Sequence, residues 1–253
     1  MTELRYISVE EAIPLKGLRV AFTQGLPGPW GLSARAILDY KRIPYAAVVQ
    51  EAGGANDALL AWTGQTSAPV AMLDEERPRA LWSEILLLAE RLAPEPRLIP
   101  ADPAERMTMF GLAHELCGED GVGASARTLL LLNDRSGRPH VPRLVEKYCA
   151  GAAVEHAARR LNQLIALLAA RLEQQAAAGS AYLVGDALSA ADIYWVAFST
   201  LIDALPEDIC IMPDFYRALG GVTQPFLDAQ LPENLIAHRD RVARAYLPVP
   251  FRF

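Results

Sequence analysis

Leu183-Val184-Gly185-Asp186-Ala187-Leu188-Ser189-Ala190-Ala191-Asp192-Ile193 reads as a loop running into a helix. Ser189 can cap the helix start with its hydroxyl, and Asp192, three residues on, can reach back to the backbone N–H of the cap residue. Glu or Gln is the commoner residue at that third position, so Asp makes a short version of the box. Leu188 and Ile193 stand where a hydrophobic staple places its two residues. The helix that follows, Ile193-Tyr194-Trp195-Val196-Ala197-Phe198, is apolar nearly all round and is expected to be buried. Losing such a cap costs about 1 kcal/mol. The motif directs folding and carries no chemistry of its own.

The same helical character extends on both sides. Val154, Ala157, Ala158, Leu161, Leu164, Ile165, Leu168 and Leu172 recur at three- and four-residue steps, one stripe of a long helix. Residues 104–116, 123–132, 189–205, 213–219 and 232–246 supply further helices. Moving towards the N-terminus, Pro94, Pro96, Pro100 and Pro103 crowd one short stretch, where a continuous helix is forbidden and an extended connector is favoured. The chain divides there. Residues 1–16 read as an extension, 17–93 as one domain, 94–103 as linker and 104–253 as an all-helical domain.

The first domain alternates strand and helix signals. Residues 17–23 (GLRVAFT), 44–50 (PYAAVVQ) and 69–73 (PVAML) are strand-like, and residues 79–82 can pair back as a fourth strand. Helices are expected over 29–42, opened by Pro29 at its favoured first position, over 56–63, and from Ser83 as cap to residue 92. The order β-α-β-α-β-β-α gives a four-stranded mixed sheet.

Composition narrows the function. Of 253 residues, 52% are hydrophobic and 21% charged, which suits a globular core. The net charge of −6 and the lack of a Lys/Arg run give no pull towards nucleic acid. No stretch spans a bilayer and no secretory signal opens the chain, so the expectation is a cytoplasmic protein without a membrane partner. Cys117, Cys149 and Cys210 are distant from one another and odd in number, as expected of reduced core thiols. His114, His140, His156 and His238 share no metal-ligand spacing, and no metal is expected. Gly25, Gly28 and Gly31 make no dinucleotide fingerprint, no phosphate-loop Lys follows them, and no Cys-x-x-Cys exists for dithiol exchange.

Two further signatures bear on binding. Thr66-Ser67-Ala68-Pro69-Val70 places a proline at the start of a strand, where no ladder N–H is lost. A cis Ala68–Pro69 bond there would turn the preceding backbone groups outward to an extended ligand; an ordinary trans proline at a strand entry is the plainer reading. In Leu81-Trp82-Ser83-Glu84 a strand gives way to a helix, and Ser83 is either a carboxylate site or a plain cap.

In this order, Ala68-Pro69-Val70, Ser83, the proline-rich connector and Leu183-Val184-Gly185-Asp186 with Ser189-Ala190-Ala191-Asp192 resemble the cytosolic glutathione transferase family. The run from Arg35 to Tyr45 also looks like that family's first helix entering its second strand, so the resemblance spans about residues 17–245. It implies a thioredoxin-like α/β N-terminal domain and an all-α C-terminal domain, the glutathione transferase fold. It implies a cis Pro69, Ala68 backbone groups on the cysteinyl part of glutathione, and Ser83 with its helix N-terminus on the γ-glutamyl carboxylate. The activity implied is that of a glutathione-dependent transferase or lyase, with glutathione as co-substrate, a small hydrophobic electrophile as acceptor, detoxification as the role and a homodimer as the assembly.

Two departures qualify what the resemblance implies. The family usually activates the thiol with a Ser, Cys or Tyr after the first strand, yet Gly28 stands at the Ser or Cys position and no Tyr, Cys or Ser occurs between Thr23 and Leu32. Backbone N–H groups of Trp30 and Gly31 at a helix N-terminus, or the Thr23 hydroxyl, are the remaining donors. Alternatively, the stretch from Gly25 to Gly31 is only a rigid turn. Trp82 replaces the acidic or amide residue before Ser83 and cannot pair with the γ-glutamyl ammonium, leaving Glu84, another residue or a dimer partner to do so. A non-catalytic binding or scaffold protein on the same fold is the competing expectation.

Overall fold

The computed structural model describes residues 4–253. Its sheet has four strands: β1 (Tyr6–Ile7), β2 (Leu18–Thr23), β3 (Ala46–Gln50) and β4 (Val70–Leu73), in the order β1-β3-β2-β4. β2 is central and buried along nearly its whole length, as its run of apolar residues demands. It pairs in parallel with β3 and antiparallel with β4, with Val20 opposite both Ala47 and Ala71. The helices of this half are α1 (Val9–Ala12), α2 (Pro29–Tyr40), α3 (Asp57–Thr63) and α4 (Trp82–Leu92).

Strand membership differs from expectation. The N-terminal extension contributes β1, paired in parallel with the outer edge of β3, and α1, whose Ser8 and Glu11 bond reciprocally across the helix start. Residues 79–82 form no strand: Ala71 and Arg79 make a single two-bond bridge before the chain turns into α4. Pro78 on one side and the helix beginning at Trp82 on the other leave room for only one paired residue. Leu81 therefore takes the cap position, and Ser83 is the second helical residue instead of the cap.

The remaining chain is helical: α5 (Pro103–Cys117), α6 (Val122–Leu132), α7 (Val141–Tyr148), α8 (Val154–Ala177), α9 (Ala190–Phe198), α10 (Asp214–Arg217), α11 (Gly220–Thr223) and α12 (Glu233–Tyr246). Asp102 caps α5 by accepting from the N–H groups of Ala104 and Glu105, both at 2.9 Å. The helix expected over 189–205 ends as an α-helix at Phe198 and tightens into a 3-10 turn, Ser199–Leu201. Neither α7 nor α11 was expected from the sequence.

All nine residues of α9 are buried. One core runs from Val20 and Phe22 of the sheet through Leu32 and Ile37 of α2 to Trp195 and Phe198 of α9. Trp195, fully enclosed, donates its indole N–H to the Leu235 carbonyl at 2.9 Å and ties α12 to α9. Asp192 does reach back to the Ser189 N–H, at 2.9 Å, and its role is wider than a cap. Its carboxylate also accepts from Leu183 N–H at 2.8 Å and from the Ser189 hydroxyl at 2.9 Å, and His238 Nε2 lies 3.0 Å away. Loop, cap and C-terminal helix therefore converge on one buried carboxylate.

Candidate functional site

A cleft of about 590 Å³ opens where the β2–α2 turn, the segment before β4 and the helices α6 and α7 meet. Thr23, Trp30, Gly31, Ala68 and Pro69 all line it. The turn is shaped by Gly25, at a φ of +75°, and anchored by the Tyr216 hydroxyl, which donates to the Pro27 carbonyl at 3.1 Å. Pro29 then opens α2 and brings no N–H of its own. The first backbone bond of the helix is Leu32 N–H to Gly28 O at 2.8 Å. The N–H groups of Trp30 and Gly31 have no partner among the described residues, and helix-start donors of this kind favour an anion. A Cβ built on Gly28 would meet nothing within 4 Å, so the space before the helix start is open.

The Trp30 side chain serves as an anchor. Its indole N–H donates to the Cys117 carbonyl at 2.9 Å, and its ring meets Phe198 edge-on at a centroid distance of 4.9 Å. Thr23 is committed too: its hydroxyl donates to Gln50 Oε1 at 2.7 Å, so that proton is not free for a thiol. Ser33 bonds back to the Trp30 carbonyl at 3.0 Å. None of the three cysteines lines the cleft; all are buried and unpaired with one another. Burial pushes the Cys117 thiol well above its ordinary value.

Across from the helix start, the Ala68–Pro69 peptide bond is cis. Neither the N–H nor the C=O of Ala68 is bonded within the described residues, so both are available to an extended ligand. Thr66 and Ser67, just before it, are held from the helical half: Lys147 Nζ donates to both hydroxyls at 2.6 Å, and the Tyr148 hydroxyl lies 2.8 Å from Ser67 Oγ.

Trp82, Ser83 and Glu84 are not among the lining residues; of their segment only Ala80 is. The Trp82 indole packs inward against Tyr194 and Phe110, and the Tyr194 hydroxyl donates to the Trp82 carbonyl at 3.4 Å. Ser83 is half-buried, and its hydroxyl has no partner among the described residues. Glu84 pairs with Arg77 at 2.8 Å. Burial would raise its carboxyl, but the Arg77 guanidinium and the N–H groups before α4 outweigh that and hold it below the usual value.

The sequence reading missed the far wall. Arg127 of α6, Arg138, His140, and Arg143, Lys147 and Tyr148 of α7 all line the cleft. The signal for α7 was available: Val141, Leu144, Val145 and Tyr148 follow helical spacing with Pro142 in the first turn. Nothing in the spacing of Arg127 distinguishes it from other helix-surface cations. Among the described residues, no group of three or more His, Cys, Asp or Glu is placed to hold a metal ion, and no helix is long and apolar enough to cross a membrane.

No family model matches the sequence, and no curated protein matches it. Solved structures do. A glutathione S-transferase from Methylobacterium radiotolerans, solved with glutathione sulfonate, is 20% identical with a TM-score of 0.61, covering 94% of this chain and 98% of its own. A glutathione S-transferase domain-containing protein from Marinobacter aquaeolei is 21% identical with a TM-score of 0.65, covering 89% and 97%. The glutathione S-transferase of Methylobacillus flagellatus, solved with glutathione bound, is 16% identical with a TM-score of 0.64, covering 92% and 100%. The chain has the glutathione transferase fold, a thioredoxin-like sheet half followed by a helical half.

Proposed function

We propose that this protein is a glutathione-dependent transferase of the glutathione transferase family, joining the glutathione sulfur to a small hydrophobic electrophile, and that it works as a homodimer. The observation that carries the proposal is the pair of unfilled backbone sites facing one cleft: the free N–H and C=O of Ala68, and the free N–H groups of Trp30 and Gly31. The first suits the extended cysteinyl backbone of glutathione and the second its sulfur. Solved relatives of the same fold hold glutathione or its sulfonate.

In the proposed reaction the thiol releases its proton to solvent, the thiolate attacks an electrophilic carbon, a C–S bond forms and the leaving group departs with its electron pair. A helix N-terminus stabilises an anion by about 0.3–2 kcal/mol, which lowers a thiol from about 8.5 by no more than about 1.5 units. That is enough to enrich thiolate at neutral pH without a Ser, Cys or Tyr donor in the β2–α2 turn. Ser83 and the start of α4 are proposed to take the γ-glutamyl carboxylate, with Glu84 beside them.

Isothermal titration with glutathione tests this. Binding at millimolar ligand, weakened by Ser83→Ala, is expected; absence of heat would sink the proposal. One observation favours the non-catalytic alternative: Lys147 and Tyr148 already occupy the hydroxyls of Thr66 and Ser67 beside Ala68. Robust conjugation of a generic electrophile would count against that alternative.

A further inference from the structure

We infer that the acceptor taken by this cleft carries a carboxylate on an apolar, aromatic body, and that Arg127 receives that carboxylate. This rests on the assignment of the cleft as the glutathione site. The Arg127 guanidinium lies over the rings of Trp30 and Tyr148, at 4.5 Å and 4.1 Å from their centroids, and lines the cleft. Its Nε is buried with no hydrogen-bond partner, and no carboxylate pairs with it among the described residues.

The side chains of the fully buried arginines have partners. Arg239 pairs with Asp203 and Asp240, both at 2.8 Å, Arg35 pairs with Asp39 at 3.3 Å, and Arg19, whose Nε is likewise unpartnered, donates through its two terminal nitrogens to the carbonyls of Leu15 and Asp74. Arg127 makes no such bond among the described residues. Arg127 is left with aromatic faces, which offset only part of the cost of removing a charge from water. A ligand anion would complete it through charge-assisted hydrogen bonds.

The rest of the lining agrees. Arg138, Arg143 and Lys147 also face the cleft, and none is ion-paired among the described residues. The one lining carboxylate among the described residues, Asp134, accepts from Ser136. The cleft is thus cationic in a chain of net charge −6. Beside the cations stand Leu130, Leu144, Phe215 and Leu219, a surface for an apolar body. A volume of about 590 Å³ lies within the range that holds small organic ligands.

The experiment compares two electrophiles in which a carboxylate takes the place of one nitro group, chloronitrobenzoate and chlorodinitrobenzene, as the ratio of their kcat/KM values. In Arg127→Met the ratio is expected to fall about tenfold to a hundredfold, the range of a lost charge-assisted hydrogen bond. Arg127→Lys, which keeps the charge, should recover part of it. A ratio unchanged within about threefold overturns the proposal, whether both rates fall together, as they would if Arg127 served the thiol, or neither falls. A titration without glutathione separates this proposal from the one it rests on. Wild-type protein is expected to bind nitrobenzoate more tightly than nitrobenzene, and Arg127→Met to lose that preference. If glutathione fails to bind while the preference is present and lost in the variant, the transferase assignment fails and the anion site stands. No preference, or one that survives the substitution, refutes the anion site.

Discussion

Replacing Asp192 with alanine should unsettle the whole helical half. The side chain is fully buried and accepts from two backbone N–H groups, Leu183 at 2.8 Å and Ser189 at 2.9 Å, and from the Ser189 hydroxyl, and it lies 3.0 Å from His238 Nε2. Alanine leaves both N–H groups buried and unbonded, at about 1–2 kcal/mol each, and takes the carboxylate from His238, so the loss is about 3–5 kcal/mol. For a chain of this length that corresponds to a fall in Tm of about 6–20 °C. Asp192→Asn keeps one acceptor oxygen and should lose about half as much. Urea unfolding followed through Trp195, which sits one turn along the same helix, reads the change together with far-UV circular dichroism. A loss of about 1 kcal/mol or less would be that of an ordinary helix cap, and would refute the view that Asp192 joins loop, cap and α12.

Burial keeps the thiols of Cys117 and Cys210 and the phenols of Tyr45, Tyr194 and Tyr216 protonated, with Cys210 pushed up to about 12 from an ordinary 9.0. The unfolded chain loses these protons first, so it binds fewer than the native chain; stability should be full below about pH 9 and fall as pH rises towards 12. Urea midpoints measured at about pH 9, 10 and 11 should decline in that order, and a flat series would contradict the assignment. At Gly123, a Cβ would lie 2.4 Å from the Phe198 ring and 3.1 Å from that of Trp30. Gly123→Ala should therefore cost about 1–3 kcal/mol and displace Trp30, weakening glutathione binding; unchanged stability and affinity would show that the rings can yield.

The architecture was legible where local chemistry and packing agree. The stripe from Val154 to Leu172 and the apolar run after Ser189 both bury what their spacing says they bury. Legibility failed where an element is too short to have a period. β1 has two residues, and only the Ser8–Glu11 box beside it marks structure in the extension. The strand expected at 79–82 failed for the opposite reason: its β-type pattern was real, but the adjoining helix began too soon to let it pair. α7 lacks any buried residue, so its weak spacing carried little weight beside the stronger stripes.

The site was legible only on its sheet side, because those residues lie close to the turns that place them. Its far wall comes from residues such as Lys147, whose partner Thr66 is 81 positions away in the chain. Charge shows why composition could not supply it. The chain has 24 Lys and Arg against 30 Asp and Glu, and that excess of acid says nothing about any one surface. What sets the sign of a cleft is which cations folding leaves without a carboxylate. Arg35 and Arg239 are neutralised by Asp39, Asp203 and Asp240, whereas Arg127, Arg138, Arg143 and Lys147 gather around one cavity with no carboxylate partner among the described residues. Charges on the far side of the molecule are screened over about 8 Å at physiological salt, so the cations that line the cavity weigh most in what enters.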